Sequence, residues 1–205
     1  SKDNPYSDYY IWRDPVDGHE PNNWGGFFGG SVWEYVESRQ QYYLHSFAVE
    51  QADLNWENPK LRQAVYDMMN FWVDKGVDGF RLDVINLISK PASFADGQPN
   101  PGEPYADIGP IIANGPRLSE FLQEMHANVL AGHDLITVGE SPAATVTDAK
   151  QSAGLDTNEL NMVVEFEHMG LDGNPAPELG KWNDQPVKLT DLKQSLTKWQ
   201  TGLHG

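Results

Sequence analysis

The chain has 205 residues, no cysteine and a formal net charge of −16. A charge this negative repels a phosphate backbone and argues against nucleic acid as a partner. No apolar run approaches the roughly 20 residues of a membrane span, and zero cysteine excludes disulfides and thiolate metal sites. Hydrophobic residues at 39% and charged residues at 21% are a globular composition. Ser1 to Tyr10 is polar and aromatic, which reads as no signal peptide, and the whole balance fits a cytoplasmic protein.

Residues 1–58 are irregular, with Asn-Pro, Gly-Gly and Asp-Gly punctuation. Within them Ser31–Glu37 and Gln41–Phe47 read as an aromatic hairpin around Ser38-Arg39-Gln40. Asn58 and Pro59 then suit a helix start, with Leu61, Val65, Met68, Met69 and Trp72 at helical spacing and Gly76 as the stop. Val77–Asp83 reads as a short strand, followed by a Gly/Pro-rich loop over Pro91–Pro116. A second helix is expected over Arg117–Ala131, with Leu118, Phe121, Leu122, Met125 and Val129 on one face. Leu135–Val138 forms a second strand running into Gly139-Glu140. A helix near Val146–Ser152 leads to a third strand, Asn161–Phe166, and Thr190 is expected to cap a last helix carrying Leu192, Leu196, Trp199 and Leu203.

Helices alternating with strands imply a parallel sheet with crossover helices. A closed (β/α)8 barrel takes about 250 residues, and about three such strands are legible here. The expectation is either a small unusual fold or a fragment.

Ligands of parallel α/β folds bind beyond the carboxyl ends of the strands. Asp83 and Glu140 sit at two of those ends. Each alone reads as a strand-end surface acid; together they suit glycosidic cleavage. There one carboxylate attacks the anomeric carbon, and the other protonates the leaving oxygen and later activates water. Arg81, two residues before Asp83, faces the same side of the strand, and its charge would keep the nucleophile ionised. The acid of such a pair must still hold its proton near neutrality.

The run Gly79-Phe80-Arg81-Leu82-Asp83-Val84-Ile85-Asn86 resembles the nucleophile strand of the α-amylase superfamily of glycoside hydrolases, family thirteen. Thr137-Val138-Gly139-Glu140-Ser141 resembles its acid/base strand, and Gln51-Ala52-Asp53-Leu54-Asn55-Trp56 its signature near the end of the inserted domain. Val163–Asp172, Lys2–Tyr6 and Glu20–Trp24 are similar to the oligo-1,6-glucosidase and dextran glucosidase subgroup.

The resemblance implies a partial TIM barrel, about strands four to six with their helices (residues 57–205), plus the inserted irregular β domain that follows the third strand (residues 1–56). It implies hydrolysis of α-1,6-glucosidic bonds in isomalto-oligosaccharides by a retaining, exo-acting mechanism. Asp83 would be the nucleophile, Glu140 the acid/base, and Arg81 the residue that orients the nucleophile. Val84, Ser141, Pro142, Phe166, Glu167 and His168 would border the substrate, although Val84 reads equally well as strand packing. His45 reads as structural, and Asp53 and Asn55 as braces for the elements that follow. No cofactor is implied, and the scattered acids do not match a calcium loop of the pattern Asp-x-Asp-x-Asp-Gly with a later Glu.

Close alternatives are an α-1,4-glucosidase, a trehalose-6-phosphate hydrolase or a sucrose isomerase. A non-catalytic amylase-like or sugar-binding fragment is the alternative of another class. Family members carry further barrel strands before and after this region, with an Asp, a His and a His-Asp pair that complete the site. The chain is therefore expected to be nearly inactive alone and to need those segments in cis or in trans.

Overall fold

A computed structural model describes residues 2–172 and 186–203. Strands β1 (Trp12–Arg13), β3 (Trp33–Val36) and β4 (Gln41–Leu44) form an antiparallel sheet in the order β1-β4-β3. The expected hairpin is present with shorter strands, paired from Trp33↔Leu44 to Val36↔Gln41. Gln40 closes it with φ +54°.

Helix α1 spans Pro59–Asp74. Asn58 Oδ1 accepts from Lys60 N at 2.9 Å, and Gly76 ends the helix at φ +88°. Its inward face differs from the expected one. Leu61, Arg62, Tyr66 and Met69 are buried, whereas Met68, Phe71 and Trp72 are exposed. Arg62 turns inward because its charge is matched there. Its guanidinium donates to Trp56 O and to Glu124 Oε2, each at 2.7 Å.

Strands β5 (Gly79–Leu82), β7 (Ile136–Glu140) and β8 (Met162–Val164) form a parallel sheet in the order β5-β7-β8. Among the described residues the sheet does not close into a barrel. Gly79 is required where β5 meets β7, because a Cβ there would fall 2.0 Å from Ile136 O. The crossovers are α3 (Leu118–Met125, continued by a π-helical turn over His126–Leu130) and α4 (Val146–Ala153). Thr145 and Asp148 form a capping box on α4. The predicted face of α3 is the observed one: Leu118, Phe121, Leu122, Met125 and Val129 are all buried against α1 and the sheet.

The segment Pro91–Pro116 holds more order than a loop. Ala106–Asp107 forms β6, which pairs in parallel with β2 (Trp24–Gly25), and Gly109–Ile112 forms the short helix α2. Trp24 is fully buried, stacks on Phe94 at 5.2 Å and donates Nε1 to Ala95 O at 2.9 Å. Trp24, Val32, Trp33, Leu44, Leu87, Ile108 and Ile112 form one core, so the small sheet and this loop share their interior. Neither two-residue pairing nor a shared core leaves a local period in sequence.

Helix α5 runs over Leu189–Gly202 with Lys188 at its N-cap. Thr190 therefore lies inside the helix and caps nothing. Of the expected apolar face, Trp199 is buried and Leu192 half-buried, while Leu196 and Leu203 are exposed. Residues 173–185, Ser1 and the last two residues of the expected barrel segment lie outside the described residues. Among the described residues, no helix is long and apolar enough to cross a membrane.

Candidate active site

Parallel pairing decides which side chains meet. The ladder ends with Arg81↔Val138 and Leu82↔Gly139. Asp83 therefore emerges just past β5, beside Glu140, the last residue of β7. Gly139 permits close packing beneath that end, since a Cβ there would lie 2.5 Å from Leu160 Cδ1.

Arg81 joins the two acids. Its Nη1 donates to Asp83 Oδ1 and its Nη2 to Glu140 Oε2. Asp83 is 76% exposed at its side chain and Glu140 15%. The two carboxyls are thus unequal in solvation, one open to the cavity and one withdrawn. The Arg81 bond, seconded by a hydrogen bond with Glu140, holds the Asp83 carboxyl below the usual carboxylate range against a smaller opposing effect of burial.

These acids floor a cavity of about 510 Å³. Phe28, Phe47 and Trp56 supply aromatic wall, and Val84, Leu87 and Ile88 supply aliphatic lining. Val84 takes a left-handed backbone, φ +37° and ψ +41°, which is strained for a β-branched residue. It faces the cavity directly after Asp83. Asp53 and Lys90 also line it. Lys90 Nζ donates to Leu87 O at 2.7 Å and stands 3.4 Å from Asp53 Oδ2, which accepts from Ser46 Oγ at 2.5 Å. Asp53 also braces the small sheet through main-chain bonds to Ile11 and Leu44. Sequence reasoning passed over Lys90. The one signal was a lysine closing the mostly apolar run that follows Asp83.

The remaining expected site residues are not among those that line the cavity. Ser141 is buried and donates its N–H to Val164 O at 2.9 Å, and Pro142 O accepts from Asn86. Glu167 turns to α5, accepting from Lys198 Nζ at 2.7 Å and Trp199 Nε1 at 3.0 Å. His168 Nδ1 lies 2.7 Å from Glu165 Oε1. Phe166, Glu167 and His168 do not line the cavity among the described residues. His45 is buried, with Nδ1 3.1 Å from Phe47 O. Among the described residues no group of three or more acidic, histidine or cysteine side chains is arranged to hold a metal.

The fold and site are those of a parallel α/β sheet with paired strand-end acids at the floor of an aromatic-lined cavity. The chain belongs to the alpha-amylase family: the model of the alpha amylase catalytic domain matches residues 1–205. It is 55% identical over 203 residues to an oligo-1,6-glucosidase of Halalkalibacterium halodurans, covering 99% of this chain and 36% of that protein. It is 46% identical to a trehalose-6-phosphate hydrolase of Bacillus subtilis, with 100% and 35% covered. Among solved structures, the trehalose-6-phosphate hydrolase of Bacillus licheniformis superposes with a TM-score of 0.89 at 43% identity, covering 98% of this chain and 35% of that one. A trehalulose synthase superposes with a TM-score of 0.90 at 40% identity, covering 100% and 36%. The chain thus spans about a third of the length of these relatives.

Proposed function

We propose that the protein carrying this chain hydrolyses α-1,6-glucosidic bonds of isomalto-oligosaccharides with retention of configuration. Asp83 attacks the anomeric carbon. Glu140 donates a proton to the leaving oxygen and then draws one from water. Arg81 orients Asp83 and keeps it ionised. The observation that carries this reading is the single guanidinium bonded to both carboxyls at the cavity floor. That contact favours the close spacing of a retaining pair over the roughly 6.5–9.5 Å that an inverting pair keeps for its water.

Val84 borders the bound sugar, and Ser141, Pro142, Phe166, Glu167 and His168 shape the site from behind or from its edge. The inserted unit, residues 1–56, supplies aromatic wall against which pyranose faces pack, and residues 57–205 supply the catalytic floor. The 55% identity to oligo-1,6-glucosidases, against 46% to a trehalose-6-phosphate hydrolase, supports the choice of linkage. The substrate is a soluble oligosaccharide met in the cytoplasm, and further barrel segments complete the site.

The test is a comparison of kcat/KM for isomaltose, maltose and trehalose 6-phosphate in the whole protein, with the anomer of the released glucose followed by NMR. Preference for isomaltose with α-glucose appearing first supports the reading. β-Glucose as the first product, or preference for trehalose 6-phosphate, overturns it.

A further inference from the structure

Asn86 is 2% exposed, three residues after Asp83. Its side chain joins three loops. Nδ2 donates to Pro142 O at 2.7 Å and to Asn114 Oδ1 at 3.0 Å, and its main-chain carbonyl accepts from Asn114 N at 2.9 Å. Pro142 lies two residues beyond Glu140. Each of the three loops holds a non-glycine residue in left-handed backbone: Val84 at φ +37°, Asn114 at +53° and Ala143 at +59°. Backbone of this kind persists only where its surroundings hold it.

The β5–β7 ladder stops at Leu82↔Gly139, one residue short of both acids. Past that point Arg81 links the carboxyls on the cavity side. Behind them, the Asn86 amide links the turn after Asp83 to the turn after Glu140. Both N–H groups of the amide are used in these links. An aspartate of the same shape would present only acceptors to two oxygen atoms.

We propose that Asn86 is a positioning residue that sets Glu140 relative to Asp83, so that the proton reaches the leaving oxygen. The inference rests on the proposed roles of those two acids. Removing the link loosens the turn after Glu140, which Asn86 holds through Pro142 O, and the withdrawn acid depends on that turn more than the open Asp83 does, while Arg81 still bonds to both carboxyls. A displacement near 1 Å costs on the order of a hundredfold in rate, and it falls on substrates whose leaving group needs the proton.

The experiment uses the whole protein with Asn86→Ala and Asn86→Asp, and two substrates. Isomaltose needs a proton on its leaving oxygen; α-glucosyl fluoride does not. The expected result is a fall of about a hundredfold in kcat/KM for isomaltose with little change for the fluoride. Equal falls for both substrates, or no fall, overturn the proposal. Asn114→Ser removes the amide oxygen that is one of the two acceptors of Asn86 Nδ2 and carries the test should the Asn86 variants not fold: a smaller fall with the same selectivity is expected, and no fall, or a fall without selectivity, overturns the proposal. Glu140→Gln serves as the separating control. Equal loss on both substrates in that variant defeats the acid assignment itself, whereas selective loss there and none at Asn86 defeats only the positioning role.

Discussion

Asn23 and Gly97 hold each other twice. Asn23 Nδ2 donates to Gly97 O at 3.0 Å, and Gly97 N donates to Asn23 Oδ1 at 2.8 Å. The pair spans 74 residues of sequence and ties the segment beside Trp24 to the loop that follows β5. With Trp24 stacked on Phe94 and Asn22 Nδ2 bonded to Phe94 O at 3.1 Å, it fixes the core of the small sheet to the loop that follows β5.

Asn23→Ala therefore removes both bonds and strands the Gly97 N–H. Two neutral hydrogen bonds contribute about 1–3 kcal/mol together. A urea midpoint lowered by that amount at unchanged slope is the expected outcome, with KM for oligosaccharide raised more than kcat is lowered.

The Arg81 bond predicts a pH effect of definite sign. Asp83 is held below the usual carboxylate range chiefly by Arg81, and the proposed nucleophile works only ionised. In Arg81→Leu the Asp83 carboxyl returns toward its ordinary value, so the acid limb of kcat/KM moves to higher pH, beyond any general loss of rate. A pH profile on α-glucosyl fluoride reads this free of the acid step. A limb that stays in place, or moves to lower pH, contradicts the account.

Glu159 gives a stability test away from the site. It is 3% exposed, its Oε2 has no hydrogen-bond partner, and burial pushes its carboxyl above the ordinary glutamate range. A carboxyl raised in the folded state favours folding while protonated. That advantage is full below the unfolded-state value, is lost as pH rises from there through the folded-state value, and gives way to the cost of a buried charge. Glu159→Gln should therefore raise the melting temperature at pH 7, with the gain shrinking as pH falls toward the unfolded glutamate value of about 4.3. A gain that is constant with pH contradicts the burial argument.

What was legible in sequence was what local rules govern. Asn58, Pro59 and Gly76 bound α1 as expected, and the spacing of Leu118, Phe121, Leu122, Met125 and Val129 gave the buried face of α3. Strand ends and two-residue alternation make Asp83, Glu140 and Arg81 a plausible group, the resemblance to the family's strands singles them out, and the structure joins them through Arg81. Features resting on distant pairing escaped. The β2–β6 bridge joins segments about 80 residues apart, and the Asn86 links depend on how three turns meet. The face of α1 was misjudged because a charged Arg62 goes inside when Trp56 O and Glu124 receive it. Thr190 looked like a cap because residue type alone does not say where the first helical turn begins.

The central claim is that Asp83 forms the covalent bond to glucose. The direct measurement is incubation of the whole protein with 5-fluoro-glucosyl fluoride, which slows release of the glycosyl intermediate, followed by peptide mapping by mass spectrometry. The account predicts one added fluoroglucosyl group on the peptide carrying Gly79–Asn86, placed on Asp83 by fragmentation and absent in Asp83→Asn. An adduct on any other residue would contradict it, as would turnover of the natural substrate at normal rate in the Asp83→Asn protein.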